Sequence, residues 1–216
     1  MKRTSLNQDG FTLIELLTVM TIIGVLAALV IAGASAASKM GARKRAEAEI
    51  QGLSAALESY KVDNGDYPRS LPNGATNDSD QIDPKVDTNP DVSGDRYTKA
   101  SLVLYAALSG DDLSGIGNGR NPGSVNTATQ QKYKIYYDFK PNMLLPAGGT
   151  GTVTALLDPF HKYPYGYSTI YSADVAAGKP TPGGYNPTFD LWSTGPTDET
   201  PTGPDPTVKW ITNWKN

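Results

Sequence analysis

Residues 11 to 37, FTLIELLTVMTIIGVLAALVIAGASAA, form a 27-residue run with one charge and no proline. About 20 apolar residues suffice to cross a hydrocarbon core roughly 30 Å thick, and a helix does so with every backbone group satisfied. The run is therefore read as a transmembrane helix, and the rest of the fold has to be built onto its end. Its single charge, Glu15, needs a reason. A charged group inside hydrocarbon costs roughly 2.5–3.5 kcal/mol even on lenient scales. A buried carboxylate is tolerated when a cation partners it. An ordinary secretory signal has an apolar stretch about half as long, and cleavage after Ala34-Ser35-Ala36 would leave Glu15 without a role.

The residues around Glu15 carry a resemblance. After the short polar stretch MKRTSLNQDG, the order Gly10-Phe11-Thr12-Leu13-Ile14-Glu15 resembles the processing site of the type IV pilin and pseudopilin superfamily. The resemblance implies that residues 1–10 are a prepilin leader, that a membrane-embedded prepilin peptidase cuts between Gly10 and Phe11, and that Phe11 is then N-methylated. It also implies that Glu15 pairs with the N-terminal amine of Phe11, its own or a neighbouring subunit's, and so sets the axial register as subunits add. The leader is then cytoplasmic and the C-terminal domain periplasmic, with a single pass through the bacterial inner membrane until the chain enters a filament. One feature runs against this topology. Lys39, Arg43, Lys44 and Arg45 outnumber Lys2 and Arg3, and the positive-inside rule alone would put the C-terminal side in the cytoplasm.

Beyond residue 37 the pattern becomes amphipathic. Ala46, Ile50, Leu53, Leu57 and Tyr60 recur at helical spacing, and Asn64-Gly65 before Tyr67-Pro68 supplies a stop. With no strong breaker between the two stretches, one helix is expected from about Phe11 to Lys61, roughly 75 Å long at ~1.5 Å per residue. Residues 11–37 form its membrane and filament-core part, and 38–67 its amphipathic continuation.

All 16 prolines lie at or after Pro68. Residues 68–132 are rich in Pro, Gly, Asn, Asp and Ser and read as long surface loops around one helical island, Thr98 to Leu108. Residues 133–216 carry β-prone pieces at Lys134–Phe139, Tyr165–Tyr171, Phe189–Ser193 and Val208–Ile211, separated by Gly and Pro. One long helix followed by three or four short strands predicts an α+β, pilin-like fold, with a small antiparallel sheet packed on the helix. The chain has no cysteine and one histidine, His161, which is read as a turn residue. A core with well-packed aromatics, or a bound metal, is left to do what disulfides do in many extracytoplasmic domains.

The closing stretch, FDLWSTGPTDETPTGPDPTVKWITNW, resembles the end of the major pseudopilin family of type II secretion systems, as do Leu157-Asp158-Pro159-Phe160 and Tyr165-Gly166-Tyr167. The resemblance implies a structural calcium loop. Calcium takes six to eight oxygens, and the candidate ligands are Ser193, Asp198, Asp205 and the Leu191 carbonyl, with Glu199 in reserve. The match departs from the family pattern at Thr197, where the first acid is expected; here it comes one residue later, at Asp198. Four prolines, Pro196, Pro201, Pro204 and Pro206, offer the alternative of a turn held without metal.

The expected function is that of a structural subunit of a type II secretion pseudopilus, supporting export of folded proteins. Its implied partners are further copies of itself, the prepilin peptidase, minor pseudopilins, the inner-membrane assembly platform, and membrane lipid before assembly. A surface type IV pilin for adhesion, motility or DNA uptake is the alternative, and a membrane-tethered binding module that never polymerises is a third. The absence of a C-terminal cysteine pair favours the first. With a net charge of −3 there is no basic excess that implies a nucleic-acid partner. The sequence groups no nucleophile with a base, so no enzyme is expected.

Overall fold

A single helix, α1 (Leu13–Asn64, 52 residues), takes in both the apolar run and the amphipathic stretch after it. The computed structural model describes residues 12–69, 78–87, 95–110, 125–126, 131–132, 134–146, 153–161, 163–196 and 209–214. The chain divides into two compact units, Met1–Gly41 and Ala42–Asn216. Helix α1 ends where the Asn64-Gly65 pair predicts. Gly65 adopts φ +87°, which costs a residue without Cβ little, and its N–H donates to the Lys61 carbonyl at 2.7 Å.

In the first unit the described apolar side chains face outward: Leu13, Ile14, Leu16, Leu17, Val19, Met20, Ile22, Ile23, Val25, Leu26, Leu29, Val30 and Ile31 are all exposed. An 18-residue window has mean hydropathy 2.6 and none of it is buried. Two hydroxyls within the run are satisfied inside the helix, Thr18 Oγ1 donating to the Ile14 carbonyl (2.7 Å) and Thr21 Oγ1 to the Leu17 carbonyl (2.8 Å). Back-bonded threonines leave few polar groups for hydrocarbon to meet.

In the second unit the stripe Ala46, Ile50, Leu53 and Leu57 is buried as its spacing predicts, and Tyr60 is packed beside it. It meets Val103, Leu104, Tyr105 and Leu108 of α2 (Asp95–Ser109), with Phe139, Tyr165, Tyr167, Phe189 and Leu191. Each fully buried leucine or aromatic contributes about 1.5–3 kcal/mol. Glu49, on the same helix, is 7% exposed; the Tyr165 hydroxyl donates to its Oε2 at 2.8 Å, and burial pushes its carboxyl above the usual range.

The strands are short. β1 (Val125–Asn126) pairs with β2 (Gln131–Lys132), and β3 (Leu144–Leu145) with β4 (Ala155–Leu156). β5 (Gly166–Ser168), β6 (Asp190–Ser193) and β7 (Ile211–Thr212) form an antiparallel sheet in that order, with Gly166 opposite Trp192 and Trp192 opposite Thr212. The α+β expectation holds: a long N-terminal helix with small antiparallel sheets.

Three local expectations fail. Lys134–Phe139 is not a strand. Tyr136 N–H and Tyr137 N–H both donate to the one carbonyl of Leu108 (2.9 and 3.0 Å), which folds the segment over the end of α2 rather than extending it. The second β-prone piece, Tyr165–Tyr171, stops at Ser168, and a seven-residue helix, α3 (Ile170–Ala176), replaces its last residues. Nor is the proline-rich region all surface. Ile82, beside a 3-10 turn at Asp78–Gln81, is fully buried with Tyr97, Ala100, Trp192 and Trp210. His161 does lie in a turn, at φ 57°, its N–H donating to the Asp158 carbonyl (2.9 Å).

Candidate functional site

The start of α1 gives Glu15 a local role that the sequence reading missed. Thr12 N–H donates to Glu15 Oε2 at 2.9 Å, and the Thr12 hydroxyl donates to the same oxygen at 2.7 Å. Thr12 Oγ1 accepts the Glu15 N–H at 3.3 Å. Thr12 is thus the N-cap and Glu15 the third helical residue of a capping box, each closing on the other's backbone donor. The signal lay in plain view as Thr-x-x-Glu before an apolar run. The box satisfies donors that the first turn of any helix leaves open, and in apolar surroundings such donors are the most costly to leave unpaired. Gly10 and Phe11, between which cleavage is expected, lie outside the described residues.

The C-terminal candidates are divided. Asp198, Glu199 and Asp205 lie outside the described residues; Leu191 and Ser193 are on β6. The Leu191 carbonyl accepts the Asn213 N–H (3.0 Å), while Leu191 N–H donates to Asn213 Oδ1 (2.9 Å). Ser193 Oγ donates to Asp158 Oδ2 at 2.6 Å and accepts the Gly195 N–H at 3.2 Å. A hydroxyl has one proton and two lone pairs, so one lone pair of Ser193 is left for a cation. One residue on, Thr194 Oγ1 is buried with no hydrogen-bond partner. Gly195 follows at φ +76° and turns the chain out of the strand. The orphaned Thr194 hydroxyl and the open lone pair of Ser193 are oxygens of the kind a hard cation such as calcium takes. Among the described residues, no three His, Cys, Asp or Glu side chains are grouped to hold a metal.

Asp158 is the residue that site reasoning passed over, although its Asp-Pro turn was visible. It is 1% exposed, and its Oδ1 accepts the Phe160 N–H at 3.1 Å. Burial pushes its carboxyl up to about 7, against the hydrogen bonds from Ser193, Phe160 and His161. Asp190 follows the same logic less strongly. It accepts the N–H groups of Tyr185 (2.7 Å) and Asn186 (2.9 Å), and burial lifts it to about 6.

The prokaryotic N-terminal methylation motif matches residues 5–31. Type II secretion system core protein G of Pectobacterium carotovorum subsp. carotovorum is 42% identical over 62 residues, 29% of this chain and 40% of that protein. The Escherichia coli (strain K12) protein of the same name is 41% identical over 66 residues, 31% of this chain and 46% of that protein. The Pseudomonas aeruginosa protein is 43% identical over 62 residues, 29% and 44% of the two chains. The chain thus spans less than half the length of these relatives. No solved structure matches it.

The long N-terminal helix, the small antiparallel sheets and the methylation motif fit the pilin-like arrangement of the type IV pilin and pseudopilin superfamily. Over the matched residues the chain is similar to pseudopilins of the protein G type.

Proposed function

We propose that this chain is a structural subunit of a type II secretion pseudopilus, processed after Gly10, methylated on Phe11 and polymerised through its N-terminal helix. The observation that carries the reading is α1 itself: an apolar helix whose side chains are left outward over its first turns, with one carboxylate, Glu15, at its start. Before assembly that surface is covered by inner-membrane lipid, and afterwards by the same helix of other copies. The soluble unit is then periplasmic, and the partners are the prepilin peptidase, minor pseudopilins and the inner-membrane assembly platform. The subunit has no catalytic role; it acts by being added to a filament.

The test compares culture-supernatant proteins of a strain lacking the chain with those of complemented strains. Wild type is expected to restore several folded exoproteins, and Glu15→Ala is expected not to. A supernatant unchanged by the deletion favours the surface pilus. Full rescue by Glu15→Ala favours a tether that never polymerises.

Calcium in the loop after β6 belongs to the same reading, held by Ser193, Asp198, Asp205 and the Leu191 carbonyl, with Glu199 available. It is supported by the oxygen-rich sequence and by the orphaned Thr194 hydroxyl. A site that binds only the folded state stabilises it by about 2.7 kcal/mol at a hundredfold excess over Kd. Melting of the full chain is therefore expected to rise with calcium, but not with magnesium, and Asp198→Ala is expected to abolish the rise. No change with calcium leaves the prolines to hold the loop.

A further inference from the structure

We propose that Arg43, Lys44 and Arg45 form a collar that binds the phosphate headgroups of anionic lipids before assembly; this rests on the membrane-spanning reading of α1. The three cations are consecutive on an unbroken helix. They follow a run whose only charge before Lys39 is Glu15. At about 1.5 Å per residue, they stand roughly 8–11 Å along the helix beyond Ser38. A bilayer's headgroup zone adds only about 5–8 Å to each side of the hydrocarbon core, a difference that long basic side chains span by reaching back.

Their arrangement favours lipid over a protein partner. Successive residues are turned by about 100° on a helix, so three in a row spread over roughly 200° of its circumference. No single neighbouring surface faces all three, whereas lipid headgroups meet every face of the helix that the second unit leaves open. The nearby acids are on the far side. Glu47 and Glu49 come after the cations in the chain, further from the apolar run. Lys44 Nζ lies 2.8 Å from Glu47 Oε2, but the pair is 79% and 41% exposed, and such pairs are weak and easily exchanged. Glu49 is buried and bonded to Tyr165; burial raises its carboxyl, and the Arg45 charge offsets part of that rise without outweighing it. Arg45 is exposed and Arg43 half-buried. Cations at this place oppose the proposed topology under the positive-inside rule, and a lipid-binding role accounts for their being there.

The test uses the purified full chain in neutral detergent micelles containing equal amounts of phosphatidylglycerol and phosphatidylcholine, with bound lipid read by native mass spectrometry. Each basic residue near an anionic surface is worth about fivefold in partition. Wild type is expected to retain phosphatidylglycerol at least about tenfold over phosphatidylcholine, and high salt is expected to erode the preference. The Arg43→Gln, Lys44→Gln, Arg45→Gln triple variant is expected to lose it. Equal retention of the two lipids by wild type, or an unchanged preference in the variant, overturns the collar. So does a variant that keeps the lipid preference but loses self-association, which assigns the cations to a second copy. Flotation with neutral vesicles separates the two levels. A wild-type chain that floats without a lipid preference sinks only the collar; one that never floats sinks the spanning reading too.

Discussion

Replacing Gly166 by alanine is expected to destabilise the second unit by about 3 kcal/mol, the upper range for overpacking a core. Gly166 sits on β5 directly opposite Trp192 of β6. A Cβ there would lie 2.0, 2.3 and 2.5 Å from Cε2, Cζ2 and Cδ2 of the indole, far inside any van der Waals contact. The indole has nowhere to go. It is fully buried, stacks on Trp210 (centroids 5.8 Å apart, planes 4° apart), and meets Tyr97 and Trp214 edge-on at 5.8 and 5.7 Å. Moving it displaces three further rings, or else β5 must leave the sheet. For a chain of this size each kcal/mol shifts Tm by about 2–4 °C, so a fall of roughly 6–12 °C is expected by thermal melting. Gly41→Ala, in a helix with open space around the added methyl, is the control and is expected to be neutral or slightly stabilising. Equal melting of Gly166→Ala and wild type would show that the indole packs elsewhere.

That glycine illustrates what the sequence could and could not disclose. Features that depend on local pattern were legible: the apolar run, the buried stripe from Ala46 to Leu57, the stop at Gly65 and the strand at Asp190–Ser193. Features that depend on which segments meet were not. Lys134–Phe139 has strand composition, but two of its N–H groups are taken by the end of α2, a partner about thirty residues earlier. Ile170 and Tyr171 are β-prone, yet they begin a helix. Ser168 Oγ accepts the Ile170 N–H and donates to the Ile82 carbonyl, so the strand's end is tied to a distant turn. Ile82 sits in a segment whose polarity reads as surface, and only the tryptophans of the last strands show why it is buried. At the candidate sites the division is the same. The Thr12–Glu15 capping box is local and could have been read from its spacing, whereas the Asp158–Ser193 contact joins residues 35 apart in the chain.

That contact governs the second large effect, which is one of pH. Asp158 has an ordinary carboxyl value of 3.8 when unfolded and about 7 in the fold, with desolvation as the leading cause. The native state therefore holds this proton more tightly than the unfolded chain does. The stability linked to it is fully present below 3.8 and is lost as pH rises through about 7. At about 1.4 kcal/mol per pKa unit, the loss amounts to roughly 4 kcal/mol. Asp190, lifted to about 6, adds a smaller slope of the same sign. Asp158→Asn removes the titration while keeping one oxygen for the Phe160 N–H. Its amide then faces Ser193, whose hydroxyl must accept rather than donate, at a cost of about 1 kcal/mol. The two stability curves are accordingly expected to cross at about pH 4.5, with the variant weaker than wild type at about pH 3.5 and stronger at pH 8. Urea midpoints followed by tryptophan fluorescence, in buffer containing a chelator, check this directly. Parallel curves for the two proteins across that range would mean that Asp158 carries no buried charge at pH 8, and that another group sets the slope.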